Sequence, residues 1–197
     1  RSQKDVSLDS SASMLFDGTD DVITTNVDST LATKTYSWWC KSEKTAVNAV
    51  FDHGSSLSAS FKFNDSNKPF LGLGLGVFVL WEDNPAQDDN LWHHWLLFVD
   101  STNVANARLF CDGVEQTKST ITNTGTAAAF TTGIRIGRRD TGYFSGSIDE
   151  FAIFDGDQTD KDFIRKLYNN GRPTNLLQYS TLDHWYRMGV GVLGAKR

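Results

Sequence analysis

Four consecutive residues, Trp81, Glu82, Asp83 and Asn84, place an aromatic ring beside carboxylate and amide groups. This combination suits sugar recognition, because a sugar ring packs on the indole while its hydroxyls hydrogen-bond to the polar side chains. Tyr143, further along the chain, is a candidate second contact. Trp81, Asp83, Asn84 and Tyr143 are therefore the predicted ligand contacts. The alternative is that the two aromatic side chains are buried in the core of the protein.

The segment Leu71–Gly76 alternates leucine with glycine. As a strand, it would point its leucines into the core and leave the opposite face bare at Gly72 and Gly74. A bare face would let a sugar ring approach the backbone, so these two glycines join the predicted ligand-binding residues. The alternative is that a bulky neighbour, such as Trp38 or Trp95, fills the space.

Carboxylate pairs that could hydrolyse a glycosidic bond are not evident. Retaining glycosidases hold two carboxyl groups about 5 Å apart on one side of the substrate. Glu82 and Asp83 are adjacent, as are Asp149 and Glu150, so in strands the members of each pair would point to opposite faces. The chain is therefore predicted not to be an enzyme.

Two neighbouring histidines, His93 and His94, also diverge if they lie in a strand and cannot chelate one ion. We expect them to be polar groups packed beside Trp92 and Trp95. The histidines and cysteines show no spacing typical of a zinc site, and no Gly-x-Ser-x-Gly elbow frames a serine nucleophile. The glycine-rich segment lacks the Lys-Ser/Thr ending of a phosphate-binding loop.

The composition describes an ordinary globular domain. The chain has 197 residues, 39% of them hydrophobic and 12% aromatic, and a net charge of -5. The aromatic content excludes bulk disorder, and the acidic balance argues against nucleic acid as a partner. The longest apolar run, Phe70–Trp81, is interrupted by glycines and is shorter than the roughly 20 residues of a membrane-spanning helix, so no membrane insertion is expected.

Short β-like segments separated by Gly, Asn and Asp turns run through most of the chain and predict an all-β sandwich or barrel. One helix is predicted after Thr159, which would cap it with Asp162 three residues on, and Gly171 would end it. Its apolar stripe is Phe163, Ile164 and Leu167. The segment Leu182–Met188 could add a last strand.

Three segments are predicted along the chain. Residues 1–13 are polar and would form an arm or linker, residues 14–172 would form the globular domain, and residues 173–197 would form a C-terminal extension. Because the polar beginning lacks Met, we expect the chain to be processed or cut from a longer protein. Cys40 and Cys111 lie in predicted strands, and the sequence leaves open whether they pair or are free buried thiols.

Seven short motifs follow one another along the chain: Leu15–Val22, Tyr36–Trp39, Trp92–Trp95, Arg108–Gly113, Gly133–Gly137, Phe144–Phe151 and Leu167–Gly171. In this order they resemble the motifs of laminin G-like, concanavalin A-like jelly rolls, a superfamily of lectins and glucanases. The resemblance extends over roughly residues 14–171 and implies a two-sheet antiparallel jelly roll with one short peripheral helix near its C-terminal end. Pentraxins and several carbohydrate-binding modules share this architecture.

The resemblance also implies a structural calcium ion. Both faces of Ile148–Phe154 carry apolar residues, so this strand is predicted to be central and Asp149 needs a partner. The family often supplies calcium at this point, which makes Asp149 and the Asp17 carbonyl the predicted metal ligands. The alternative is that Asp149 accepts backbone N–H bonds or faces an arginine. The Glu-x-Asp-x-x-Glu motif of the related glucanases is absent.

The predicted function is a non-catalytic recognition module that binds glycans or a protein partner on an extracellular or virion surface. The first alternative is a structural or decorating subunit of a virion (capsid, tail or fibre) or of an adhesin, and a glycan hydrolase is a minor one. The tail at Trp185–Gly189 resembles sequences that follow laminin G-like modules in phage and marine bacterial proteins. We therefore expect the chain to belong to a larger protein or assembly, with other virion or adhesin subunits as further candidate partners.

Overall fold

The computed structural model describes residues 12–27, 31–43, 47–54, 59–64, 66, 68–127 and 133–188. Within them the chain forms two seven-stranded antiparallel sheets, one two-stranded hairpin and one α-helix. This confirms the predicted jelly-roll sandwich. The outer parts of the predicted arm and extension, residues 1–11 and 189–197, lie outside the described residues. No helix in the described part of the chain has the length and hydropathy needed to cross a membrane.

The first sheet has the strand order β1-β15-β3-β8-β9-β10, and β16 pairs with β15 beyond the end of β1. Strand β15 is therefore central, as the sequence predicts, and holds both ends of the domain. The seven strands are β1 (Met14–Asp17), β3 (Thr33–Lys41), β8 (His93–Asp100), β9 (Arg108–Cys111), β10 (Val114–Glu115), β15 (Ser145–Asp155) and β16 (Leu182–Tyr186).

The second sheet has the order β11-β7-β6-β5-β4-β12-β2. The hairpin of β13 (Arg138–Arg139) and β14 (Gly142–Tyr143) contacts β4. The strands of the sheet are β2 (Ile23–Thr24), β4 (Asn48–Asp52), β5 (Ser60–Phe63), β6 (Pro69–Gly74), β7 (Val77–Trp81), β11 (Lys118–Asn123) and β12 (Arg135–Ile136).

The core between the sheets is aromatic. Alternate residues of each strand point inward and meet their counterparts from the facing sheet, as period-two patterning requires. Trp38 packs edge-on against Phe61, with ring centroids 5.1 Å apart, and Tyr36 stacks on Phe51 at 4.6 Å. The largest fully buried side chains include Trp38, Trp81, Trp95, Tyr36, Phe51, Phe61 and Phe151.

A second apolar cluster covers the outer face of the first sheet. The helix α1 (Lys161–Tyr168) and strand β16 contribute to it, so the sandwich has an additional layer on this side. The predicted helix stripe is confirmed, with Ile164 and Leu167 buried and Phe163 packed against them. The buried members of the cluster are Leu96, Phe110, Ala152, Phe154, Ile164, Leu167, Leu176, Leu182 and Trp185.

The ends of α1 differ from the predicted ones by one or two residues. Asp160 is the N-cap and accepts hydrogen bonds from the backbone N–H groups of Asp162 and Phe163. Thr159 is not the cap because its hydroxyl donates to Asp157 and accepts from Arg108. The last helical residue is Tyr168, and the C-cap is Asn169 in the left-handed conformation, two residues before the predicted stop at Gly171, which also has a positive φ.

Strand β15 contains a bulge that the alternation pattern does not predict. Its register with β3 shifts between Asp149 and Ala152, and Glu150 has a φ of +50°. Regular alternation would place Ile148 on the same face as Ala152, and the bulge prevents this. Ile148 lies in the inter-sheet core together with Phe151, because the extra residue reverses the phase of the strand.

Cys40 and Cys111 are free, buried thiols. Cys40 pairs with His93, and Cys111 pairs with Trp95 on the other side of β8. Two strand spacings and a two-residue offset place their Cα atoms roughly 12 Å apart. A disulfide requires less than about 7 Å, so the alternative of two unpaired thiols is the one that the structure supports.

Candidate functional site

A cleft lies on the outer face of the first sheet, where the chain leaves α1. Trp39 of β3 and Asp149 of β15 are direct cross-strand partners on its floor. Trp92, one residue before β8, forms part of its wall. The cleft has a volume of about 280 Å³ and is lined by Ala12, Ser13, Trp39, Trp92, Asp149, Gly171 and Pro173. We call it the Trp39–Trp92 cleft.

The floor of the cleft is held in place by packing. Trp39 is 6% exposed, and its ring stacks on Tyr168 of α1 with centroids 6.2 Å apart and an interplanar angle of 22°. The His94 ring lies 5.1 Å away from it on the neighbouring strand. Contacts from α1 and β8 fix the orientation of this indole, so its free edge presents a preformed surface.

Trp92 differs from the tryptophans of the core in its exposure. It is 40% exposed, whereas Trp38, Trp81 and Trp95 are each 0% exposed. An indole with this much accessible surface beside a concave site offers a flat apolar face to a ligand.

The polar group of the cleft is the Asp149 carboxylate, which is 6% exposed. Its Oδ1 atom accepts a hydrogen bond of 2.8 Å from the backbone N–H of Glu150. This backbone hydrogen bond is the predicted alternative to calcium at Asp149. The neighbouring Glu150 carboxylate accepts from the Trp185 indole and lies 3.5 Å from Arg187. Burial raises the pKa of Glu150, and the nearby charge of Asp149 adds to this effect.

Trp81 does not occupy a ligand site. Strand β7 alternates regularly and places Trp81 in the inter-sheet core at 0% exposure, so its ring has no face for a sugar. Asp83 and Asn84 follow the strand in a loop that they shape themselves. Asn84 accepts from the Ala86 backbone and donates to Gln116, and Asp83 accepts from the Gln87 side chain.

The face beside Gly72 is occupied. A Cβ on Gly72 would lie 3.0 Å from a ring carbon of Phe70 and 3.3 Å from the Ser60 hydroxyl. Trp38 and Trp95 were the expected occupants of this space, but both point into the inter-sheet core. Phe70 fills the space instead. Gly74, with a φ of +145°, begins the turn between β6 and β7. Leu75 lies in this turn and is 83% exposed, so the prediction that it points into the core is wrong.

Tyr143 lies on the β13–β14 hairpin, which contacts β4 of the second sheet, and not at the Trp39–Trp92 cleft. Its ring is 5.3 Å from the guanidinium carbon of Arg138 on the paired strand β13. The predicted ligand contacts are therefore not brought together. Trp81 lies in the core, Asp83 and Asn84 in a loop, Gly72 and Gly74 on β6, and Tyr143 on the β13–β14 hairpin.

A second surface with aromatic side chains lies on the outer face of the second sheet. Phe70 and Phe78 stack with centroids 5.5 Å apart. The Lys62 ammonium lies 5.4 Å from the Phe70 ring centroid, and the Arg139 guanidinium lies 5.1 Å from it. This Phe70–Phe78 surface is the obvious comparison for the cleft, because both present aromatic rings to solvent.

The predicted calcium ligands, Asp17 and Asp149, are not neighbours. Asp17 pairs with Ser145, which is four residues before Asp149 on the same strand, a separation of roughly 13 Å. Asp17 instead lies with Asp20 and Asp21, and their carboxylate oxygens are within 4.8 Å of one another. A calcium ion held by Asp149 and the Asp17 carbonyl together is not supported by this separation, and a calcium ion at Asp149 with other ligands stays a prediction.

Sequence reasoning missed Trp39 and Trp92 as site residues, although both stand in the motifs that carry the resemblance. Strand alternation provides a signal for Trp39, because Trp38 and Trp39 must point to opposite faces and only one can enter the inter-sheet core. No local signal locates the cleft itself, since Gly171 and Pro173 reach it from a distant part of the chain.

The model of the concanavalin A-like lectin/glucanases superfamily, in its laminin G form, matches residues 16–162. The chain belongs to this superfamily. No curated protein matches it by sequence.

Solved structures show the same fold at low sequence identity. A Bacteroides ovatus ATCC 8483 protein, proposed to bind carbohydrate, matches with a TM-score of 0.64 and 13% identity over 92% of this chain and 54% of its own. Domains LG4-5 of the mouse laminin α1 chain match with a TM-score of 0.56 and 13% identity. This match covers 82% of this chain and 46% of theirs. This chain therefore spans about half the length of these two proteins.

A third structure was solved with a bound sugar. Domain 4 of AbnA, a GH43 extracellular arabinanase from Geobacillus stearothermophilus, in complex with arabinotriose, has a TM-score of 0.50 and 18% identity. The match covers 70% of this chain and 66% of that domain. At these identities the likeness establishes the fold alone.

Proposed function

We propose that this chain is a non-catalytic glycan-binding module and that the Trp39–Trp92 cleft takes a short neutral saccharide. The observation that carries this proposal is the combination of a 40% exposed indole, Trp92, with a buried carboxylate, Asp149, in one cleft. The apolar face of a sugar ring would pack on Trp92, and its hydroxyls would donate to Asp149.

The charge and size of the cleft define the class of glycan. Its described lining holds one carboxylate and no cationic side chain, which disfavours acidic sugars and favours hydroxyl donors. A volume of about 280 Å³ is at the lower end for small-molecule sites. It suits a short segment or the end of a glycan rather than a long chain.

Hydrolysis is not supported by the described lining of the cleft, where Asp149 is the one carboxylate. Glycosidases of the two-carboxylate type need an acid and a second carboxylate on either side of the bond. A binding role also accords with two structural relatives, the Bacteroides protein proposed to bind carbohydrate and the arabinanase domain in complex with arabinotriose.

A glycan array with the isolated chain tests the proposal, in one arm with calcium and in the other with a chelator. We expect binding to a class of neutral glycans in both arms, because the cleft lining supplies its own carboxylate and aromatic contacts. Binding only with calcium would support the predicted calcium ion. If the folded protein binds no glycan in either arm, the proposal is contradicted and the alternative of a structural or decorating subunit is favoured.

Two matched variants locate the binding site. Trp92→Ala should weaken binding to the best array ligand at least about tenfold, which corresponds to about 1.4 kcal/mol. Phe78→Ala, which removes a half-buried ring from the second sheet, should leave affinity unchanged. Equal affinity of Trp92→Ala and the unaltered protein, or a loss confined to Phe78→Ala, would contradict a site in the cleft.

The setting of the module belongs to the same proposal. We propose that the module acts on an extracellular or virion surface as part of a larger protein or assembly. The chain spans about half the length of two structural relatives, which supports only the second part, a larger protein. If the chain were instead an assembly subunit, the folded protein would form symmetric oligomers and bind no glycan.

A further inference from the structure

Three residues with metal-binding side chains meet at the rim of the sandwich. His93 begins β8, Cys111 ends β9, and Asp112 opens the turn that leads to β10. One ring nitrogen, the Sγ atom and one carboxylate oxygen from these residues lie within 4.8 Å of one another. The cluster combines nitrogen, sulfur and oxygen donors and is distinct from the exposed acidic residues near Asp17.

The imidazole of His93 lies between two carboxylates. Its Nδ1 atom is 2.7 Å from Asp112 Oδ2, and its Nε2 atom is 3.1 Å from Asp89 Oδ2. Both carboxylates are hydrogen-bond acceptors. An imidazolium can donate to both of them, whereas a neutral imidazole can donate to only one. A cation on the Nδ1 side would satisfy Asp112 while Nε2–H donates to Asp89. A carboxylate on the second nitrogen is one of the usual partners that orient a metal-binding histidine.

The backbone holds the other two donors in place. Asp112 has a φ of +49°, and its Oδ1 atom accepts a 2.9 Å hydrogen bond from the His94 backbone. Cys111 is fixed by its ladder pairing with Trp95. The side chain of His93 is 15% exposed and that of Asp112 is 30% exposed, so an ion can reach the cluster from solvent.

We propose that His93 Nδ1, Cys111 Sγ and Asp112 Oδ2 form a Zn²⁺ site. A mixed thiolate, imidazole and carboxylate set suits zinc, whereas Ca²⁺ and Mg²⁺ take oxygen donors. Zinc bonds of about 2.0–2.3 Å place tetrahedral ligand atoms about 3.3–3.8 Å apart. His93 Nδ1 and Asp112 Oδ2, now 2.7 Å apart, would therefore separate slightly around the ion, and Cys111 Sγ lies within 4.8 Å of the ligand atoms of both residues. The fourth position would be taken by water or by a donor from a bound partner.

Binding of Zn²⁺ requires the loss of the Cys111 proton to solvent. Burial raises the pKa of this thiol, and the neighbouring Asp112 adds to the effect, so the metal-free protein holds a protonated cysteine. The proposed site does not depend on the glycan-binding proposal, because none of its three ligands lines the Trp39–Trp92 cleft.

The test uses the full chain without an affinity tag, stripped of metal by a chelator. We expect one Zn²⁺ per chain in competition with a chromophoric chelator, and a thiolate-to-cobalt charge-transfer band when Co²⁺ replaces zinc. Cys111→Ser should abolish the band and the stoichiometric binding. Cys40→Ser, which alters the other buried thiol, is the matched control and should change neither.

A second variant, His93→Gln, keeps the test decisive if Cys111→Ser does not fold. It should lose Zn²⁺ binding while its circular dichroism spectrum remains that of the native protein. Asp89→Asn should weaken binding by about 10–100-fold and retain the cobalt band, since Asp89 only orients the imidazole. The proposal is overturned if the folded protein binds no Zn²⁺, if the cobalt complex lacks the thiolate band, or if His93→Gln binds as tightly as the unaltered chain.

Discussion

His94 is a buried imidazole whose neighbours come from distant parts of the chain. It is 2% exposed, its Nε2 atom lies 2.8 Å from the Ser37 hydroxyl, and its ring lies near those of Trp39 and Tyr168. Burial lowers the pKa of His94 to about 4, and the charge of Asp112 opposes this only in part. The folded protein therefore holds this histidine in its neutral form.

This burial makes stability depend on pH in a defined direction. A histidine in the unfolded chain has a pKa of about 6.5. Between about pH 6.5 and pH 4, His94 therefore binds a proton in the unfolded chain but not in the folded one. The free energy of unfolding should fall as the pH falls through this window. Urea unfolding at several pH values should show a flatter dependence for His94→Gln than for the unaltered protein.

Ser37→Ala provides the contrast at the same site. It removes the hydrogen bond to His94 but leaves the ring buried, so the pH dependence should persist. A Ser37→Ala profile as flat as that of His94→Gln would show that the hydrogen bond, and not burial, keeps the imidazole neutral.

The side-chain partners of His93 and His94 could be predicted only in part from the sequence. Strand alternation predicts that His93 and His94 diverge, and their different neighbours agree with this. Their contacts were expected to be Trp92 and Trp95, but His94 packs against Trp39 and His93 lies between two aspartates. Such partners come from other strands and loops, and no spacing along the chain encodes them.

Among the strands, β15 joins both ends of the domain and tolerates little change at its beginning. Gly146 has a φ of +136°, and a Cβ at this position would overlap the carbonyl oxygen of Lys41. Only a residue without a side chain allows this close approach of two strands. The bulge that follows, with Glu150 at positive φ, again departs from the simple alternation that the sequence predicts.

Two glycine substitutions separate the effect of the clash from that of backbone conformation. Gly156→Ala, at a φ of +72° with no atom within 4 Å, should cost only the roughly 1–2 kcal/mol of a left-handed alanine. Gly146→Ala adds a backbone overlap and should cost about 3 kcal/mol or more. Urea unfolding of both variants measures the difference, and equal costs would contradict the tight contact between β15 and β3.

For the molecule as a whole, the fold was largely predictable and the site was not. The order of short strand motifs, the single helix and its apolar stripe all follow from local patterning. Trp81 was misassigned because sequence does not tell whether a strand-end tryptophan faces the core or solvent. The Trp39–Trp92 cleft requires β3, β15 and the segment after α1 to meet, and this depends on the tertiary fold.

The C-terminal extension is predicted to be integral to the domain. Leu182 and Trp185 of β16 are buried in the cluster on the outer face of the first sheet, next to Phe154. A chain that ends at residue 172 would expose this cluster, so we expect a lower melting temperature and aggregation. A chain that ends at residue 188 keeps every described contact and should melt like the full chain. Equal stability of the two shortened chains would contradict this role.

The most direct test of the glycan site is the response of the six tryptophan indole N–H signals to ligand in a two-dimensional NMR spectrum. The titration would use the neutral glycan with the strongest array signal, and Trp→Phe variants would assign the signals. We expect the Trp39 and Trp92 signals to shift, while those of Trp38, Trp81 and Trp95, each 0% exposed, do not. Saturating glycan that leaves the Trp39 and Trp92 signals unchanged, or shifts only backbone signals around Phe70 and Phe78, would contradict it.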